Sequence, residues 1–386
     1  SGEVLLYFMP VSDGPCRLGQ YRRFLENYLI RNRISDVAFL SLSCEDGYAG
    51  LSNRFTRRAW QAVCISDGLD DIYAGILALA SEPGAALKVF KAGKARIFKS
   101  LATHERPVLL ATLQEEMLNL SNFERRCSTE DATRVTLLGE IFVRRDGFSR
   151  QNLVERLAAR GILVRTAAIA EWLHYADYCV TRGFASGVSL GQRLAVRLKQ
   201  GVKLRDESTI HQLLALSGFY HPGNPDIHEI VSRGASLINP KLATEAILTV
   251  GSTLLEVGDH AHGVISIGPF GCMPCRIAEA ILTCRMEAEK PRFSLHNPSF
   301  WSAEGKELSL PFLAIESDGN PFSQLVEERL ESFIMAAHRL RESLAGRDSP
   351  RIPEASQDFE GNRGNLGDVL GDMEEGAWPQ DSSSAL

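Results

Sequence analysis

The sequence predicts an α/β fold built on parallel sheets. Three observations predict it: short apolar runs recur along the chain, each runs into a turn rich in Gly, Pro, Ser or Asp, and most turns open a helical pattern. Strands that alternate with helices wind into parallel sheets through right-handed crossovers. The expected architecture is two Rossmann-like parallel-sheet lobes with long helical insertions. The first lobe with its helical extension is expected over 1–132, the second over 133–345, and a disordered acidic tail over 346–386.

In chain order, Val4 to Met9 is a continuous apolar run stopped by Pro10, followed by the turn Ser12 to Cys16 and a helical pattern from Leu18 to Ile30. Val37 to Leu42 repeats the strand and Ser43-Cys44-Glu45-Asp46-Gly47 the turn, which completes one βαβ unit. Phe55 to Ala80 and Ala85 to Leu120 read as helix, with Glu82-Pro83-Gly84 as the obvious break. A second α/β section opens with a strand from Arg134 to Val143, a helix from Gln151 to Arg160 and a strand at Gly161 to Val164. Glu171 to Val257 is mostly helical, interrupted around Gly218 to Pro225. Strands at Gly263 to Ile267 and Pro311 to Ile315 each enter a turn, and the last helix runs from about Ser323 to Leu344.

The 386 residues carry 42 Lys+Arg against 48 Asp+Glu, and 44% are hydrophobic, as in a globular protein. Beyond Ala345 nine acids face three bases, so this segment holds the whole net charge of −6 and the body is neutral. A neutral body argues against a nucleic-acid surface, and the tail's acidic, Gly- and Ser-containing composition predicts disorder. No apolar run reaches the roughly 18 residues that span a bilayer, and the opening residues show neither a basic leader nor a small-residue cleavage site. Eight cysteines in a chain this long are too few for a disulfide-dense secreted scaffold, so a reducing cytoplasm is expected.

Ligands of open parallel sheets bind beyond the carboxyl ends of the strands. The residues that carry chemistry here fall at such ends. None of them forms a Walker loop or a G-x-G-x-x-G fingerprint, which argues against an ordinary nucleotide fold. Cys16 and Cys272 lie at helix starts, where unpaired N–H groups and the helix dipole favour a thiolate, the form that a soft iron or zinc centre takes. Cys16 reads equally as a small buried residue of a tight turn. Cys272-Met273-Pro274-Cys275 opens a helix and either holds a metal or cycles as a dithiol. Cys64, Cys179 and Cys284 sit on helical patterns and are expected in the core, Cys127 in a loop, while Cys44 follows a strand.

Arg17 and Arg144 are candidates for the phosphates of coenzyme A, since a guanidinium presents a fork of donors; Arg17 reads equally as a solvated helix-edge residue, and Arg145 as an ion-pair arginine. Glu140 and Glu316 end apolar strands. They suit acid–base chemistry, or the anchoring of a loop through backbone N–H groups, and anchoring is the expected role. His174, His260 and His262 are further candidate ligands, with turn polarity expected for the last two.

Five ordered motifs then carry a resemblance: Gly14-Pro15-Cys16-Arg17-Leu18-Gly19-Gln20-Tyr21, Gly139-Glu140-Ile141-Phe142-Val143-Arg144, Glu171-Trp172-Leu173-His174-Tyr175, Phe270-Gly271-Cys272-Met273-Pro274 and Glu316-Ser317-Asp318-Gly319-Asn320-Pro321-Phe322. Together, from about Leu6 to Leu340, they resemble the 2-hydroxyacyl-CoA dehydratase and benzoyl-CoA reductase-like superfamily, in its large activase-associated branch with double-cubane-cluster relatives. The resemblance implies a 4Fe-4S or related cluster held by cysteines between Rossmann-like lobes. It also implies an ATP-hydrolysing activase of the acetate and sugar kinase fold that delivers low-potential electrons for chemistry on acyl-CoA.

On this likeness Cys16 and Cys272 are metal ligands, Arg17 and Met273 shape their surroundings, and Cys275 is an additional ligand candidate less general in the family. The related large chains carry further lobes on the N-terminal side, so another cysteine-bearing lobe or subunit is expected to complete the cluster, possible oligomers included. Leu18 departs from the aromatic common in the family. Two other functions stay open: a thiol-disulfide oxidoreductase using Cys272 and Cys275, and a non-catalytic partner or scaffold that retains the fold.

Overall fold

Val4 to Met9 and Val37 to Leu42 supply the first pair of strands, β1 (Leu5–Phe8) and β2 (Val37–Leu40), joined through helix α1 (Leu18–Arg31) and paired in parallel with Leu5 opposite Val37. The computed structural model describes residues 3–9, 16–41, 51–184, 188–220, 226–242, 244–256, 261–288 and 310–345. The predicted disordered tail, Gly14, Pro15, Cys44 and His260 lie outside the described residues.

Three helices follow: α2 (Asn53–Leu79), α3 (Pro83–Thr103) and α4 (Arg106–Ser121). Ser52 caps α2 by accepting the Phe55 N–H at 3.2 Å. The long helical stretch predicted to Leu120 breaks at His104 and Glu105, because Pro107 has no N–H to continue α3 and its ring would meet the carbonyl four residues back, so it is accommodated in the first turn of a new helix, α4. Ile65, Leu69, Ile72, Ile76, Ile97, Leu113 and Met117 are fully buried in these helices.

The second section contains β3 (Thr133–Gly139), α5 (Leu153–Ala158), β4 (Ile162–Thr166), α6 (Ile169–Arg182), α7 (Leu190–Ala215), α8 (Ile227–Gly234), α9 (Ala246–Glu256), β5 (Gly263–Pro269), α10 (Met273–Ala288), β6 (Phe312–Ser317) and α11 (Gln324–Ala345). Its four strands form an all-parallel sheet in the order β4-β3-β5-β6. β3 and β5 are buried along nearly their whole length, as suits strands covered on both faces, and both are central; β6 alternates between buried and half-buried residues and lies at an edge.

Val135, Leu137, Ile265, Ile267, Leu313 and Ile315 meet Leu157 of α5 and Leu330, Phe333 and Ile334 of α11 in one core cluster. Phe312, of opposite parity to Leu313, instead packs with Ala278 and Leu282 of α10 and Ile247 of α9. The fold is therefore α/β with parallel sheets. Among the described residues no helix is long and apolar enough to cross a membrane.

β3 stops at Gly139, short of the predicted end at Val143. Gly139 has φ +111°, and a side chain there would place Cβ 2.0 Å from the Ile267 carbonyl oxygen. The apolar residues Ile141-Phe142-Val143 thereby fall in a turn, where Phe142 points to solvent.

Candidate functional site

The chain leaves β3 toward β4 on one side, whereas β5 lies on the other, so the order β4-β3-β5-β6 reverses between β3 and β5. Such a reversal opens a crevice beyond the strand ends, the usual ligand position in this architecture. Gly139-Glu140 ends one wall and Pro269 to Cys272 the other, with Glu316 and Ser317 alongside from β6.

Cys272 stands immediately ahead of α10 and its N–H donates to the Pro269 carbonyl at 3.0 Å, while Cys275 occupies the first turn. The Cys275 thiol hydrogen-bonds Cys272. That bond lowers the Cys272 pKa against the opposing effects of burial, Glu140 and Glu245, and the same bond with burial drives the Cys275 pKa up. Of the two sulfurs, Cys272 is therefore the one on which a thiolate is favoured. Gly268 makes room for it: a Cβ there would stand 2.5 Å from the Cys275 sulfur.

The turn before Cys272 is held at both ends of one residue. Gly271 donates its N–H to Glu316 Oε1 at 2.8 Å and accepts from Arg17 Nη2 at its carbonyl at 3.3 Å. Phe270 also donates to the Ser317 carbonyl at 2.9 Å. Through Arg17 the turn carrying Cys16, itself half-buried, is brought to the Cys272 loop. Glu140 accepts the Val143 N–H at 2.8 Å and donates its own N–H to Ile267 at 2.9 Å. Glu140 and Glu316 both accept loop N–H groups, as expected for anchors.

Arg144 lies under this crevice, buried, with its Nη atoms donating to the carbonyls of Gly139 at 2.7 Å and Ala168 at 3.1 Å. Burial lowers its pKa, opposed most by Glu171. Leu138, Gly139, Arg144, Glu171, Trp172, Glu245 and Thr249 line a cavity of about 10 Å³, room for a single water. Burial raises the pKa of Glu171 and of Glu245, with Arg144 opposing both. Glu245 had no motif around it in the sequence; it reaches the cavity only because α9 packs against β3 and β5.

Other candidates are held elsewhere. Arg145 pairs with Asp67 at 2.8 Å and Asp70 at 2.5 Å. His174 Nε2 lies 2.8 Å from Glu207, with its ring edge-on to Trp60. His262 Nδ1 accepts the Arg134 N–H at 2.9 Å. Cys64 is fully buried and Cys179 packs on the α8–α9 cluster, but Cys284 is exposed and corrects the core expectation. Two positions beyond the buried Leu282, it falls on the far side of α10. Among the described residues no group of three or more His, Cys, Asp or Glu side chains is assembled for a metal ion.

Comparison of the chain with protein-family models, curated proteins and solved structures gives no match.

Proposed function

We propose that the crevice holds an iron–sulfur cluster, 4Fe-4S or a double-cubane relative, and that the chain is the cluster-carrying component of an ATP-driven, low-potential electron-transfer system. Its substrates would be acyl-CoA thioesters, as in 2-hydroxyacyl-CoA dehydratases and reductases. One observation carries the reading: two cysteine sulfurs, Cys272 and Cys275, stand together at a helix start inside the strand-order reversal. Iron requires thiolate ligands.

Thiolates are the donors such a group takes, and Gly268 lets the Cys275 sulfur approach the end of β5. Cys272 and Cys275 would ligate, with Cys16 as a third thiolate. The bound cluster would supply one-electron transfer. Arg17 would offset its negative charge, and Glu140 and Glu316 would keep the two ligand-bearing turns in place. A cubane takes four protein ligands, so another cysteine-bearing lobe or subunit would complete the set, and an activase of the acetate and sugar kinase fold would deliver the electrons in the cytoplasm. Two Rossmann-like lobes, 1–132 and 133–345, are part of this reading; the separation of the strands into two parallel sheets supports it.

A second reading rests on the hydrogen bond from Cys275 to Cys272. In it the Cys272 thiolate attacks a substrate disulfide, Cys275 displaces the mixed disulfide, and the substrate leaves as two thiols while the pair becomes a disulfide.

Anaerobic purification and reconstitution, followed by iron and acid-labile sulfide counting and visible charge-transfer absorption, test both. Stoichiometric iron that is lost in Cys272→Ala and Cys16→Ala supports the cluster. Absence of iron with a Cys272–Cys275 disulfide that equilibrates with glutathione moves the assignment to the oxidoreductase. Neither property would leave a non-catalytic partner or scaffold.

A further inference from the structure

The N-terminal two-thirds of α7 packs the wrong way round for an ordinary surface helix. Ser189 and Gln192 form a capping box that fixes its start. From Leu190 to Arg205 none of its residues is buried, and the buried positions begin at Asp206. Leu190, Leu194, Leu198 and Val202 follow one another at four-residue spacing, so they form a single stripe that drifts by about 40° per step. Their exposures are 81%, 59%, 71% and 48%.

The side turned to the molecule, where Arg193, Val196, Gln200 and Lys203 are half-buried, is polar but for Val196. Lys203 Nζ meets Asp177 at 2.7 Å and lies over the Trp60 ring, whose Nε1 donates to the Lys203 carbonyl at 3.0 Å. The Arg193 guanidinium packs beside Gly183 of the α6 end. Aliphatic residues that could have faced inward face solvent.

The charges around the stripe have one sign. Residues 190–205 contain Arg193, Arg197, Lys199, Lys203 and Arg205 and no acid. With Arg193 and Lys203 turned inward, Arg197, Lys199 and Arg205 stay exposed around the leucines. Two helices of this composition would repel, which disfavours a second copy of the chain. The exposed aliphatic residues, Leu204 among them, come without the aromatic residues of bilayer-seeking helices.

We propose that this face of α7 is a docking surface for an acidic amphipathic helix of a partner protein, whose apolar seam covers Leu190, Leu194, Leu198 and Val202 and whose carboxylates meet Arg197, Lys199 and Arg205. The proposal is independent of the chemistry at Cys272.

The test uses the full chain and two synthetic helical peptides of the same leucine spacing, one flanked by Glu and one by Lys, followed by fluorescence anisotropy. The Glu peptide is expected to bind, with affinity that falls as salt rises, and the Lys peptide is not. Leu194→Ser/Leu198→Ser should weaken binding about tenfold or more. Arg197→Glu/Lys199→Glu should transfer preference to the Lys peptide. Thermal melting of both variants should match the parent, since the altered side chains are exposed. Equal binding of the two peptides, or none, overturns the proposal. So does co-flotation with phosphatidylserine vesicles in place of peptide binding, or leucine-dependent self-association in sedimentation velocity.

Discussion

Asp67 and Arg145 form an ion pair at 2.8 Å with both side chains nearly withdrawn from water. The same carboxylate accepts the N–H groups of Ile169 and Ala170 at 3.0 and 2.9 Å, so one residue of α2 caps α6 and neutralises the loop after β3. Asp67→Ala leaves Arg145 with Asp70 as its partner but strips two buried N–H groups of their acceptor, so it should cost about 1–3 kcal/mol in urea unfolding, and Asp67→Asn, which keeps an acceptor, should recover part of that loss. Equal stability of Asp67→Ala and the parent would contradict this account.

Gly139 is the position where backbone geometry tolerates least. Gly139→Ala adds the strain of φ +111° to a collision with the Ile267 carbonyl and should cost at least about 3 kcal/mol. Gly161→Ala also has a positive φ, yet its Cβ would meet nothing within 4 Å. It should be clearly the milder change in the same unfolding assay.

The thiol pair should react asymmetrically. Cys272 is expected to alkylate with iodoacetamide before Cys275 at neutral pH, as read by peptide mass spectrometry. Cys275→Ala removes the hydrogen bond that lowers the Cys272 pKa, so the rate profile of Cys272 should move to higher pH. A profile that stays in place would show that the S–H donor does not stabilise the thiolate.

His262 gives a pH signature of folding. Its pKa is lowered to about 4, first by burial, and its Nδ1 must be unprotonated to accept the Arg134 N–H. The unfolded state takes up a proton near pH 6.5 and the folded state only near 4. The contribution of His262 is thus complete above about pH 6.5 and is lost as pH falls toward 4. His262→Asn keeps an acceptor without the titration, so the stability of the parent relative to this variant should decline across that window. A pH-independent difference would remove His262 as the cause.

Much of the fold is legible in the sequence because buried parallel strands are rich in apolar residues, as in β3 and β5, and because Gly139 and Pro269 mark where these two end. The same rule misleads at Ile141-Phe142-Val143, where the run continues but the backbone has already turned at Gly139. Cys272, Cys275, Glu316 and Arg17 are legible as loop residues after strands. Glu245 and the outward leucines of α7 are not, since their placement follows from how distant elements pack. Cys284 shows the limit of a helical pattern: it states a period but not which side faces inward.

The pairing of β3 with β5 joins residues about 130 positions apart, Val135 with Gly263, whereas β3 meets β4 within one short crossover. Contacts this distant form late. Synthesis adds a second delay, because Glu316, which holds the Gly271 N–H, follows Cys272 and Cys275 in the chain. A nascent chain therefore carries both sulfurs before β6 and Glu316 are present to hold their loop. During biogenesis the two thiols pass through an unsheltered interval, and any oxidant or metal present in that interval meets them ahead of the finished site.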